Sequence, residues 1–172
     1  MRRTMSALVV LVLALVGGAG TAAADPESGS ADADSIALLT LTTIPGGWQD
    51  RTDLRPILEI FADGRAIKKP DAASADRKPE TPPQQLEGKI RPEVVRSALT
   101  EIKQLATLDL GTPSITDHGT QIIDLMPQPP EQTVHLIVYA PDLSEGLTTD
   151  QQSARKRFAD LYRTLLDAFV KN

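Results

Sequence analysis

Apolar residues recur along the chain at two spacings, every second residue and every third to fourth, and from residue 35 onward these mark eight elements. The most informative stretch is residues 57–67, I-L-E-I-F-A-D-G-R-A-I, two short apolar runs flanking an Asp-Gly pair. Asp and Gly tolerate positive φ, so the chain can reverse there as a β-hairpin. Two registers are open. A two-residue Asp63-Gly64 turn pairs Ile60 with Ile67 and Glu59 with Lys68; a type I turn with Gly64 as a bulge pairs Phe61 with Arg65. The first sets an apolar pair and a salt pair directly opposite and is the preferred expectation.

The hairpin is flanked by further strands. Residues 35–44 (S-I-A-L-L-T-L-T-T-I) are rich in β-formers, with Leu39, Leu41 and Thr43 facing one way and Leu38, Thr40 and Thr42 the other. Pro45-Gly46-Gly47 ends that strand, and Trp48 follows in the loop as a lid on the core edge or as a stacking surface. Residues 69–85 hold four prolines and no large apolar side chain, which predicts a mobile surface loop. Residues 86–90 alternate as a short strand. Pro92 then opens a helix with Val95, Ala98, Leu99, Ile102, Leu105 and Ala106 on one stripe.

Residues 120–126 and 132–140 read as an antiparallel pair across a Pro-rich turn. In the second, Val134, Leu136 and Val138 share one face and His135, Ile137 and Tyr139 the other. A capping box at Thr149 and Gln152 opens the last helix, expected to run nearly to the C-terminus. Ala154, Phe158, Leu161, Leu165 and Phe169 line its apolar face; Arg155, Lys156, Asp160, Arg163, Asp167 and Lys171 take most of the wet one. The order β-β-β-β-α-β-β-α argues for an α+β domain: a mainly antiparallel sheet of five to six strands with two helices on one face.

The N-terminus follows a different pattern. Arg2 and Arg3 precede an apolar run from Met5 to Val16 and the small-residue end Thr21-Ala22-Ala23-Ala24. This is the layout of a Sec-type signal peptide spanning residues 1–24, cleaved after Ala24, with a retained anchor as the alternative. Residues 25–34 are polar and acidic and read as a disordered leader, leaving 35–172 as a single domain. The expected compartment is extracellular. No cysteine is present, which excludes a lipid anchor on an acylated cysteine, disulfides and thiol chemistry. Loss of the peptide removes two of 18 basic residues and none of the 23 acidic ones, for a net charge near −7. That balance disfavours nucleic acid and anionic lipid surfaces as partners.

Candidate chemistry is sparse. Nucleophile elbows and phosphate-cradling glycine loops are missing, and His118 and His135 are the two imidazoles. Thr116-Asp117-His118-Gly119 with Asp124 is the one cluster of metal-ligand types, but Asp and His before Gly are also what a turn selects. No cofactor is expected and no catalytic residue is assigned. Trp48, His135 and Tyr139 are the candidate partner contacts.

The hairpin I-L-E-I-F-A-D-G-R-A-I, the Pro-rich excursion, the L-E-G-K-I strand leading into a helix, S-I-T-D and the basic C-terminal helix together are similar to a group of small exported or lipid-anchored proteins of high-GC Gram-positive bacteria. The likeness covers roughly residues 54–170 and implies a fold and a compartment, with no activity or site residues to carry over. The expectation is an exported, non-catalytic module that binds an unknown protein or envelope component through the open sheet face, where Tyr139, His135 and the long loop converge. The alternatives are an extracellular enzyme inhibitor acting through that loop, and a hydrolase or metal-assisted enzyme using Asp117, His118 and Asp124.

Overall fold

The computed structural model describes residues 36–48 and 50–172. The signal-peptide and leader readings lie outside the described residues. Seven strands, β1 (Leu39–Ile44), β2 (Leu58–Ile60), β3 (Arg65–Lys68), β4 (Leu86–Lys89), β5 (Thr120–Leu125), β6 (Val134–Tyr139) and β7 (Val170–Lys171), form one sheet in the order β6-β5-β1-β2-β3-β4-β7. Every pairing is antiparallel. Two helices, α1 (Pro92–Leu105) and α2 (Thr149–Asp167), pack on one face, so the fold is α+β as expected.

The first strand ends up near the middle because the chain runs β1 to β4 as a meander toward one edge. α1 then returns across the inner face, and β5 pairs along the whole length of β1. α2 makes the reverse crossing and delivers β7 to β4. Leu39, Leu41, Leu58, Ile60, Ile123, Leu125, Leu136 and Val138 point inward against Ile102, Leu105, Phe158 and Leu165. Each such side chain contributes about 1.5–3 kcal/mol through burial, which is how a cysteine-free chain holds together.

Four expectations are corrected. The hairpin takes the bulged register: Phe61 N donates to Arg65 O at 2.9 Å, and Ile60 faces Ala66 rather than Ile67. Gly64 sits at φ 86° and its carbonyl accepts from Ile90 N, while the Asp63 carboxylate accepts from the Arg65 amide at 3.0 Å. The register also sets Ala66 opposite Gly88, where the Phe169 ring leaves no room for a Cβ. Glu59 consequently pairs with Lys69 at 2.6 Å, not Lys68.

The capping box lies one residue earlier, on Thr148 and Gln151. T-x-x-Q occurs in both frames, and Gln151 also donates to Asp109 at 2.8 Å, which settles the choice. α2 stops at Asp167, and the chain turns extended to form β7, a seventh strand where five to six were expected. Finally, Arg155 is 5 % exposed, on the apolar side of α2 and not the wet one.

Candidate functional site

Both helices lie on the inner face, and the outer face holds three of the six residues singled out by sequence, Asp124, His135 and Tyr139. One row runs across six strands as His135, Asp124, Thr40, Glu59, Ile67 and Glu87. His135 Nδ1 shares a hydrogen bond of 2.7 Å with Asp124, whose second oxygen accepts from Thr40 Oγ1 at 3.5 Å. Two residues along, the next row sets exposed Ile137 beside Ile122 and Thr42. At the far end of β6 the Tyr139 hydroxyl donates to Ile115 O at 3.1 Å and accepts from His118 N at 3.2 Å. β6 therefore presents an apolar side chain, 57 % exposed, between two polar ones already held in position.

The structure does not bring Asp117, His118 and Asp124 together. His118 precedes β5, while Asp124 sits near the strand's other end, about 20 Å away at 3.3 Å per residue. Among the described residues no group of three or more His, Cys, Asp or Glu side chains is placed to hold a metal. Asp117 and His118 instead close a corner where three backbone segments meet. Asp117 has φ 60°, a Cβ on Gly46 would fall 2.5 Å from its carbonyl, and one on Gly119 would fall 2.8 Å from that of Ile44. The glycines are there for close backbone approach. A cleft of about 270 Å³ remains, lined in part by Thr43, His118, Gln121 and Asp142.

Trp48 is not a surface ring. It is 9 % exposed, with the guanidinium of Arg51 stacked 4.0 Å from its centroid and that of Arg77 at 6.0 Å. Asp53 bridges these two arginines at 2.6 and 2.8 Å. The hydrogen bond from Arg51, assisted by Arg77, holds the Asp53 carboxyl well below its ordinary range despite some desolvation, and the same bond raises Arg51. Arg77 also donates to the carbonyls of Ala72, Thr81 and Asp53. These bonds tie the 69–85 loop to the β1–β2 connection. The hydrogen-bond partners of the His135 and Tyr139 side chains are Asp124, Ile115 and His118, none of them in this loop. Its outermost part is a turn from Lys78 to Thr81, closed by Thr81 N donating to Lys78 O at 3.0 Å.

The residue that sequence reasoning missed is Arg155. Its guanidinium donates to the carbonyls of Leu110, Gly111, Tyr139 and Ala140, and its Nε finds no partner. Burial lowers its pKa from 12.5. The available signal was Tyr162, seven residues on and also buried, which widens the apolar stripe to include position 155. On the helical side, α1 and α2 enclose a groove of about 550 Å³ floored by Val94, Ala98, Leu161 and Leu165 and bridged by the Glu101–Arg157 ion pair. Compared with known protein families, characterised proteins and solved structures, the chain matches none.

Proposed function

We propose that the chain is an exported, non-catalytic binding module that engages a protein or envelope component through the outer face of its sheet. The observation that supports this reading is the placement of both helices on the inner face. Ile137, Ile122 and Ile67 are thereby left on a surface whose polar members, His135, Asp124, Thr40 and Glu59, are already paired. A flat face of oriented side chains on a rigid sheet loses little entropy on binding. A photoreactive residue in place of Ile122, introduced in the producing organism, tests it. Adducts to another protein or to envelope polymer are expected from position 122 and not from position 97 on α1. Equal labelling from both positions, or none, overturns the reading.

One observation favours a second reading, inhibition of a secreted enzyme. The exposed Lys78–Thr81 turn is backed by Arg77, which is 7 % exposed and hydrogen-bonded to three carbonyls, so the loop carries a braced projecting segment. Incubation with secreted proteases decides it: cleavage in 78–81 without inhibition removes this reading.

A further inference from the structure

We propose that the free edge of β6 pairs with β6 of a second copy, making a two-fold dimer with a continuous sheet. The argument starts from which backbone groups face outward. β6 is an end member of the sheet, hydrogen-bonded to β5 alone. Ala140 N donates to Gly119 O, so the position opposite Gly119 is a hydrogen-bonded pair, and such pairs alternate along an antiparallel ladder. Val138, Leu136 and Val134 therefore turn their N–H and C=O toward β5. His135, Ile137 and Tyr139 turn theirs away from it, and the Tyr139 carbonyl already accepts from Arg155.

Apart from Arg155 at its Tyr139 end, this edge lacks the residues that keep strands apart. V-H-L-I-V-Y contains no Lys, Arg, Asp, Glu, Pro or Gly, and the strand is six residues long, about 20 Å. The opposite edge, β7, has two residues, one of them Lys171. The join is therefore isologous and closes at two copies, because β7 offers no comparable edge on which to extend a filament.

A second copy fits better than an unrelated strand because the register is self-complementary. With the two-fold axis at Ile137, that residue meets its own twin as a hydrogen-bonded pair, and His135 meets Tyr139 of the other copy in both halves, where the Tyr139 N–H donates to the His135 carbonyl while the Tyr139 carbonyl stays with Arg155. On the outer face this makes a row Ile122–Ile137–Ile137–Ile122, burying a side chain that is 57 % exposed in one copy. The flanking rows read Asp124–His135–Tyr139–Thr120, so no carboxylate faces another although each chain carries a net charge of −5. On the inner face Leu136 meets Val138. A six-residue edge with one helical layer behind it covers on the order of 800 Å² in all, below the range of permanent dimers. The pair should dissociate on dilution.

The test uses the absence of cysteine. Ile137→Cys would be the sole thiol, and across a hydrogen-bonded antiparallel pair its Cα lies about 5.5 Å from its twin, within disulfide reach. Mild oxidation is expected to give a covalent dimer from Ile137→Cys and not from Ser97→Cys on α1. Mixed His135→Cys and Tyr139→Cys chains should cross-link to each other faster than either does to itself. Sedimentation of the unmodified chain should show a concentration-dependent twofold rise in mass that Ile137→Lys abolishes. Ile137→Thr serves as the milder variant should the lysine disturb folding. A chain monomeric at millimolar concentration overturns the proposal, as does an Ile137→Lys or Ile137→Thr variant that dimerises like the original, or equal cross-linking at positions 97 and 137. None of these outcomes depends on what the outer face binds, which the position-122 labelling reads separately.

Discussion

Arg155 Nη2 donates to the carbonyl of Ala140 at 2.5 Å, and Ala140 is one of two non-glycine residues in the described chain with positive φ, at 48°. One buried guanidinium thus holds the corner where β6 leaves the sheet, while also bonding the carbonyls of Leu110 and Gly111 after α1. A planar cation with five donors can serve four carbonyls at once. Arg155→Met keeps much of the length and removes every donor, leaving those acceptors without the cation. The expected loss is about 2–4 kcal/mol, with Arg155→Lys in between, because an ammonium is a compact point donor. Urea denaturation midpoints read this directly; a methionine variant as stable as the parent would mean that water satisfies the carbonyls.

Ala140 itself gives a prediction of opposite sign. An L-residue in the left-handed region costs about 1–2 kcal/mol, and glycine removes that cost but gives back about 0.4–1 kcal/mol through unfolded-chain entropy. Ala140→Gly should be neutral to stabilising by about 1 kcal/mol. A clear loss of melting temperature would show that the corner is not strained.

At the sheet's opposite side, a Cβ on Gly88 would fall 2.6 Å from the Phe169 ring and still closer to the Val170 carbonyl. The ring can rotate, but the carbonyl belongs to β7 and cannot move without breaking its pairing with β4. Gly88→Ala should cost about 1–3 kcal/mol and release β7. Amide exchange checks this, with protection lost at Val170 and at Asn172, whose N–H donates to Glu87 O, and kept in β1 and β5. Unchanged protection at β7 would contradict the close packing.

How much of this was readable in advance follows from which interactions are local. Six of the seven strands, both helices and the inward face of the sheet came from spacing alone, since Leu39, Leu41, Leu136 and Val138 alternate as a half-buried sheet requires. The hairpin register did not, because it depends on Gly88 and Phe169, remote partners that need small residues beneath a ring. The end of α2 was missed for the same reason: β4 captures Val170 and Lys171, a tertiary contact that overrides helical spacing. Arg155 reads as a wet residue by type, and its acceptors come from segments 44 and 45 residues earlier as well as from β6. In the outer face, the positions of His135 and Tyr139 were legible, but not that Asp124 pairs with the first and His118 with the second.

Tyr162 is buried, and its hydroxyl shares a hydrogen bond of 2.8 Å with Thr43 on β1. Burial raises its pKa from 10.0 to about 12, the Thr43 bond pulling more weakly the other way. The unfolded chain releases the phenolic proton near 10, whereas the folded chain keeps it until about 12. This contribution to stability is therefore whole below pH 10 and lost as pH rises through 12. Tyr162→Phe should cost about 1 kcal/mol at neutral pH by leaving Thr43 unpaired, and should lack the alkaline loss. The stability gap between the two proteins should narrow and then reverse above about pH 11; parallel curves would place the hydroxyl in water.

Asp53 supplies the acid counterpart, with an internal reporter. Its carboxyl is held below the usual range first by the hydrogen bond from Arg51 and next by that from Arg77, and both arginines lie against Trp48, the single tryptophan. The unfolded chain takes up the Asp53 proton near the ordinary value of 3.8, while the folded chain resists until lower pH. The stabilisation is therefore complete above about pH 4 and disappears as pH falls through the depressed folded value. Asp53→Asn should lower stability at pH 7 and flatten the acid limb below pH 4. Because the two arginines lose their shared carboxylate, Trp48 emission should already be red-shifted in the variant at pH 7. In the parent chain it should shift only as acid protonates Asp53, ahead of the loss of far-ultraviolet circular dichroism. A variant that keeps the parent's acid limb and Trp48 emission would show that the Arg51–Asp53–Arg77 knot does not hold the 69–85 loop against the ring.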